Sequence, residues 1–367
     1  MSIKIEKAEG SYLFDDKGNR YINLSESINI LGHRNPEILR IINSYLSEGY
    51  IHYPLTISSS ETKERVEEKL ISLTGIKEGF AVFSSSGSES CDIALTALSE
   101  LGPVITLEGS YHGLTGQFVY KKEVDKIKFG SSFEAPFPLS PDALEKIEYL
   151  VKKGARSIIL EVLQVEGGIR EVYDGFLKDL RKEFPDLIIA VDEVYTGMGK
   201  TGKLFSYEWQ NVVPDIIMLG KAIGGGFPLG ITVFRKEIFK RSKFLNLLRN
   251  RVFGSTAGNI LALHLADFLL ETVSKESFLK DVLNKSNIFI KNLNGFNSVY
   301  LSGRGLILGL NVKKDKVDEL ITRLLKERIF VTKMRDVIRL APPLTIPEEL
   351  IYEAVDKIRK ALSEDAQ

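Results

Sequence analysis

LIIAVDEVYTGMGKTG, residues 187–202, joins two patterns. Its first half is a continuous apolar run of the kind that forms a strand buried on both faces. Asp192 ends that run, where a carboxylate without a partner is costly. The second half closes on Gly199-Lys200-Thr201, the tail of a nucleotide-phosphate loop. The full pattern, G-x-x-x-x-G-K-[ST], requires glycine where this chain has Val194. Val194 argues against nucleotide binding, and Asp192 becomes the residue of interest.

Similar runs recur on either side: FAVF (80–83), PVITL (103–107), SIILEV (157–162), DIIML (215–219) and GITVF (230–234). Helical patterns lie between several of them, among them SESCDIALTALSEL, SPDALEKIEYLVKKG and DGFLKDLRKEF. Strand–helix alternation predicts an α/β fold with a mostly parallel sheet flanked by helices. From about residue 257 a long helical stretch leads into short strands, which predicts a smaller α+β domain over 257–367. Residues 1–45 form a separate N-terminal segment, with SYLFDDKGNRYINL a hairpin turning at Lys17-Gly18-Asn19. The large domain is then 46–256.

A chain of 367 residues buries about three quarters of its unfolded surface. Lys plus Arg equals Asp plus Glu at 49 each, so no nucleic-acid or anionic-membrane partner is expected. The single cysteine, Cys91, rules out an internal disulfide and fits a cytoplasmic location. Four scattered histidines offer no ordinary zinc site. The apolar window 215–234 is long enough to span a membrane, but Lys221 near its middle opposes insertion.

Ligands of open parallel sheets bind beyond the carboxyl ends of the strands. Four polar features fall there. Ser84–Ser90, SSSGSES, opens a helix, whose N-terminus holds a phosphate or is simply capped by Ser86 or Ser88. Glu161 and Asp192 belong to two strands, and Lys221 follows a third. A lysine within an apolar stretch is a candidate nucleophile toward carbonyls. Phosphate cradle, strand-end Asp and embedded Lys together are what pyridoxal phosphate needs: an anion site, a partner for the pyridinium nitrogen and a Schiff-base amine.

With these residues in view, the chain resembles the class III aminotransferases, which are fold type I pyridoxal-phosphate enzymes. EGSYLFDDKGNRYINL and LGHRNPEI resemble the family's N-terminal segment, and SSSGSES its phosphate loop. GSYHGLTG, LEVLQVEGG, VDEVYTGMGKTG, DIIMLGKAIGGGFPLG and IRLAPPLTI match further family motifs, in order. The resemblance implies a seven-stranded, mostly parallel sheet and a homodimer with shared active sites. It makes Lys221 the Schiff-base lysine, Asp192 the pyridinium partner and Tyr111 the ring stacked on the cofactor, with Val194 on the opposite face. Ser86, Gly87 and Ser88 would contact the phosphate, joined by Ser255 or Thr256 from the partner subunit. His112, Glu161 and Tyr195 complete the expected cofactor site. Arg339 resembles the arginine that receives a substrate carboxylate, and Glu166 the glutamate that pairs with it for donors lacking one nearby.

Several positions depart from the family pattern. Tyr195 stands where Gln is common, Leu114 where acetylornithine- and 4-aminobutyrate-type members carry Arg, and Val162 and Ile260 where Pro is common. Ser85 replaces the usual Asn. The resemblance implies transfer of an amino group from an ω-amine or diamine-type donor to 2-oxoglutarate in two half-reactions. An aminomutase, an amino-acid racemase and a non-catalytic cofactor-binding homologue are the alternatives.

Overall fold

The apolar runs line up side by side as the central sheet. The computed structural model describes residues 3–49, 53–115, 132–296 and 299–363, so His52 and Gly116 of the GSYHGLTG motif lie outside the described residues. The chain begins with an antiparallel meander of β1 (Ile5–Glu9), β2 (Tyr12–Asp15) and β3 (Arg20–Asn23). The β2–β3 turn is the expected one. Gly18 takes φ 77°, and the Asp15 carboxylate accepts the backbone N–H groups of Lys17 and Asn19 at 3.0 and 2.8 Å.

Next come β4 (Gly79–Ser84), β5 (Val104–Leu107), β6 (Ser132–Ala135) and β7 (Ser157–Leu160). A short hairpin of β8 (Leu163–Gln164) and β9 (Arg170–Glu171) precedes β10 (Ile188–Asp192), β11 (Ile216–Leu219) and β12 (Gly230–Arg235). Seven of these form one sheet in the order β4-β12-β11-β10-β7-β5-β6. Pairing is parallel from β11 through β6, whereas β12 runs antiparallel to both its neighbours. The strand expected over 157–162 stops at Leu160, so Glu161 stands just past the sheet. The membrane-length window 215–234 is two antiparallel strands joined through a turn at Lys221. Among the described residues no helix is long and apolar enough to cross a membrane.

The long helical stretch after residue 257 divides at Ser274 into helices Ile260–Val273 and Glu276–Leu293. Asn259 caps the first, its Oδ1 accepting Ala262 N–H at 3.0 Å. That helix packs on Glu61–Thr74, so the expected boundary at 256 falls just before a helix seated against the large sheet's layer. Beyond it, β13 (Tyr300–Arg304), β14 (Ile307–Asn311), β15 (Ile329–Phe330), β16 (Thr332–Met334) and β17 (Val337–Leu340) follow. Four make a sheet in the order β13-β14-β17-β16, while β15 pairs parallel with β3, Ile329 opposite Ile22.

Between β3 and the first long helix, Glu26 organises a tight turn. Its Oε1 accepts the backbone N–H groups of Ser27, Ile28 and Asn29 at 3.0, 2.9 and 2.8 Å. Burial alone would raise this carboxyl's pKa. His33 beside it and the Ile28 and Asn29 N–H groups outweigh that and hold it at about 2, against 4.5 ordinarily. A carboxyl so depressed stabilises the fold above its unfolded pKa and loses that contribution as pH falls through the folded value. Glu26→Gln is therefore expected to cost about 2–3 kcal/mol at pH 7. Urea unfolding as a function of pH should find the deficit shrinking below pH 4.5 and gone near about 2. A deficit that stays constant across that range would contradict the linkage.

Candidate active site

The carboxyl ends of β4, β5, β7, β10 and β11 converge on a cavity of about 430 Å³. Ser86, Gly87 and Ser88 reach it from the loop after β4, and Tyr111 and His112 from the segment after β5. Glu161 follows β7; Asp192, Val194 and Tyr195 follow β10; Lys221 follows β11. Glu166 also lines the wall. Eleven residues singled out in the sequence thus share one cavity.

Its floor is the N-terminus of helix Gly87–Ser99. Ser86 caps that helix, its Oγ accepting Glu89 N–H at 3.2 Å, while Glu89 Oε2 accepts Ser85 N–H at 2.6 Å. A capped N-terminus still presents the positive end of the helix dipole and suits an anion. The backbones around it approach unusually closely. A Cβ at Gly87 would lie 2.5 Å from Val194 Cγ1, and one at Gly220 would lie 2.6 Å from Gly87 Cα. Side chains at 87 and 220 would fill the cradle. Ser90 ties the layers together, meeting Ser84 Oγ at 3.1 Å and donating to Leu219 O at 3.1 Å.

Asp192 is buried at the end of β10 and held on both carboxylate oxygens. Oδ1 accepts Val194 N–H at 2.9 Å, and Oδ2 accepts the Cys91 thiol at 3.2 Å with His112 Nδ1 2.8 Å away. Burial pushes its pKa up, but His112, the Val194 N–H and Cys91 more than offset this, and Asp192 sits below the usual carboxylate value. Glu161 goes the other way. Burial first, then the neighbouring Asp192 charge, raise it well above its ordinary value, although it accepts Tyr111 N–H at 3.0 Å. The site therefore holds two buried carboxyls pushed in opposite directions, Asp192 down and Glu161 up.

Cys91 is the residue that sequence reading missed here, having served only as evidence against disulfides. Its signal was helical spacing, four residues past Gly87 and hence on the same face. Cys91, His112 and Asp192 bring ligand atoms within 4.8 Å of one another, a set a metal could use. Here the contacts among them are hydrogen bonds to Asp192, and burial keeps the thiol protonated by raising its pKa.

Lys221 adopts φ 45°, uncommon for a residue with a side chain and characteristic of functional turns. Its Nζ forms no hydrogen bond or ion pair among the described residues and stands 5.2 Å from the Tyr195 ring centre. Lys200, of the false nucleotide loop, is buried and donates to Ser27 O at 2.6 Å, so it braces the N-terminal segment. Arg339 is buried and donates to Ser25 Oγ at 2.7 Å. Glu166, expected to pair with Arg339 when a donor lacking a nearby carboxylate is bound, is exposed on the cavity wall, while Arg339 bonds Ser25. Ser255 and Thr256 are exposed and outside the cavity of their own chain; Leu114 is also exposed.

Comparison with known proteins gives a consistent set of similarities. The family model described as Aminotransferase class-III matches residues 1–362. Acetylornithine aminotransferase of Caldanaerobacter subterraneus subsp. tengcongensis is 31% identical, over 99% of this chain and 95% of that protein. Ornithine aminotransferase of Brevibacillus brevis is 29% identical, over 99% and 94%. The crystal structure of ornithine aminotransferase from Toxoplasma gondii ME49 superposes with a TM-score of 0.88 at 22% identity, covering 100% of this chain and 92% of that one.

The cradle makes a specific demand on volume. Gly87→Ala is expected to destabilise the fold by about 1–3 kcal/mol through overpacking against Val194. Val194→Ala in the same chain should recover most of that loss in denaturant unfolding. Additive losses would show that the contact is not what limits residue 87.

Proposed function

The chain belongs to the class III aminotransferases, pyridoxal-phosphate-dependent enzymes, and from that premise we propose that it moves an amino group from an ω-amine or diamine-type donor to 2-oxoglutarate. One observation carries the assignment of residues: an amine with no hydrogen bond or ion pair among the described residues, an ionised carboxylate and a helix N-terminus meet in a single cavity. Pyridoxal phosphate, when bound, supplies an aldehyde that takes up the amino group and a ring that accepts electrons from the substrate carbon.

The residues present fit that group. The Gly87–Gly220–Val194 cradle leaves room for a phosphate against the helix N-terminus, where Ser86, Gly87 and Ser88 would hold it. Asp192, aligned by His112, Cys91 and Val194 N–H, would keep the pyridinium nitrogen protonated. Tyr111 and Val194 would cover the two ring faces. Lys221 Nζ would anchor the cofactor and, once displaced, act as the base and acid at the substrate's amine-bearing carbon. Glu161, its carboxyl pushed well above its ordinary pKa by burial and the Asp192 charge, lines the cavity and would contact the cofactor.

Arg339 is the proposed receptor of a substrate carboxylate, with Glu166 at the cavity wall favouring the amine end of a donor. The exposure of Ser255 and Thr256 supports a homodimer in which they reach the partner's phosphate. A single buried cysteine supports a cytoplasmic enzyme. The acetylornithine and ornithine aminotransferase names of the relatives support the donor class.

Purified protein with pyridoxal phosphate should absorb near the visible edge, and Lys221→Ala should abolish that band and slow turnover by about 10²–10⁴ or more. Glutamate alone should yield stoichiometric 2-oxoglutarate in a half-reaction. A panel of N-acetylornithine, ornithine, 4-aminobutyrate and diamines then identifies the donor. Racemisation or amino-group migration without 2-oxoglutarate would overturn the transfer reaction, and a cofactor band with no turnover on any amine would overturn the enzyme.

A further inference from the structure

The resemblance puts Tyr195 in the cofactor site, but its residue type departs from the family's usual Gln and no hydrogen bond among the described residues gives its hydroxyl a partner. Its side chain is 8% exposed and packs against Leu163, Val165, Ile169, Ile307 and Val337, which hold the ring in one place. Three basic groups lie over that ring: Lys200 Nζ at 4.3 Å from its centre, Lys221 Nζ at 5.2 Å and the Arg339 guanidinium carbon at 5.2 Å, although burial pulls the Lys200 amine well below its ordinary pKa. Tyr195 lines the cavity and Arg339 does not, so the ring stands between the Lys221 amine and the guanidinium.

Two donors at this point lack partners. The Tyr195 hydroxyl and Arg339 Nε are both buried, and neither finds a hydrogen-bond acceptor among the described residues. Orphaned buried polar groups are rare in folded proteins, and the hydroxyl belongs to a side chain that lines the cavity, where a ligand would satisfy it. Both groups are donors, and the Arg339 guanidinium 5.2 Å from the ring centre favours a negative ligand. Burial, partly opposed by Arg339, holds the hydroxyl at about 12, so it keeps its proton and donates at any working pH.

We propose that Tyr195 and Arg339 form a joint receptor for the substrate carboxylate, the hydroxyl donating one hydrogen bond and the guanidinium the others. This rests on Arg339 receiving that carboxylate, as proposed above. Tyr195 then sets specificity in two ways. Its hydroxyl binds the carboxylate directly, and its ring limits the approach to Arg339 to small planar anions. Glutamine, shorter and more flexible, would leave Arg339 more open.

The test uses the pyridoxal-phosphate enzyme and glutarate, a dicarboxylate with no reacting group, titrated by calorimetry, together with steady-state kinetics on 2-oxoglutarate. Tyr195→Phe keeps the ring and its packing. It is expected to weaken glutarate binding and raise KM for 2-oxoglutarate by about tenfold or more, a larger effect than on kcat or on KM for a diamine donor. Arg339→Lys should weaken glutarate binding further, and adding Tyr195→Phe to it should cost less than in the parent, since the two groups share one ligand. If Arg339→Lys weakens glutarate binding and Tyr195→Phe does not, the joint receptor is wrong and the Arg339 assignment stands. If neither does, both fall. A shifted cofactor band with both half-reactions slowed alike would assign the hydroxyl to the cofactor and overturn the proposal.

Discussion

A carboxylate at the end of a fully buried central strand must be surrounded by donors or give up its charge. Asp192 is in that situation, and the architecture around it follows from how it is held. Its three partners come from its own loop, from helix Gly87–Ser99 and from the segment after β5. One side chain thereby fixes three separate strand ends relative to one another. Its negative charge also adds to the effect of burial in pushing the neighbouring Glu161 carboxyl well above its ordinary pKa.

Steric constraint works alongside this electrostatic one. β4 and β11 are not neighbours in the sheet, since β12 lies between them, yet the loops leaving them come into contact. Gly87 and Gly220 allow that contact, and Ser90 bridges it through Ser84 and Leu219 O. The N-terminal segment closes the other side. Ser27 O accepts Lys200 and Ser25 accepts Arg339, so a segment remote in sequence positions two basic side chains. Both then flank Tyr195, a residue whose type departs from the class III pattern.

Much of the large sheet was legible because strands buried on both faces leave long apolar runs. β6 was not, since SFEA at the sheet edge carries one large apolar residue and borrows its strand character from β5. The division of the long helix at Ser274 was also hidden, because apolar residues continue on both sides of the break. In the site, Lys221, Asp192 and the Ser86–Ser88 loop were readable from residue type at strand ends. Cys91 was not, because a thiol donating to a carboxylate looks in sequence like any small core residue. The bond from Arg339 to Ser25, more than 300 residues earlier in the chain, was likewise invisible to the sequence.

The sequence by itself determined the elements and the chemical groups at their ends, because periodicity, capping residues and apolar runs act over a few neighbouring positions. Membership of the class III aminotransferases was legible in the same way, as ordered local motifs. Only the tertiary structure decided which groups share surroundings: that Asp192 and Glu161 are shifted in opposite directions, that Lys200 braces the N-terminal segment, and that Tyr195 stands between Lys221 and Arg339. Desolvation, charge pairing and hydrogen-bond competition depend on distances between residues far apart in the chain, and those distances exist only after the strands have been ordered.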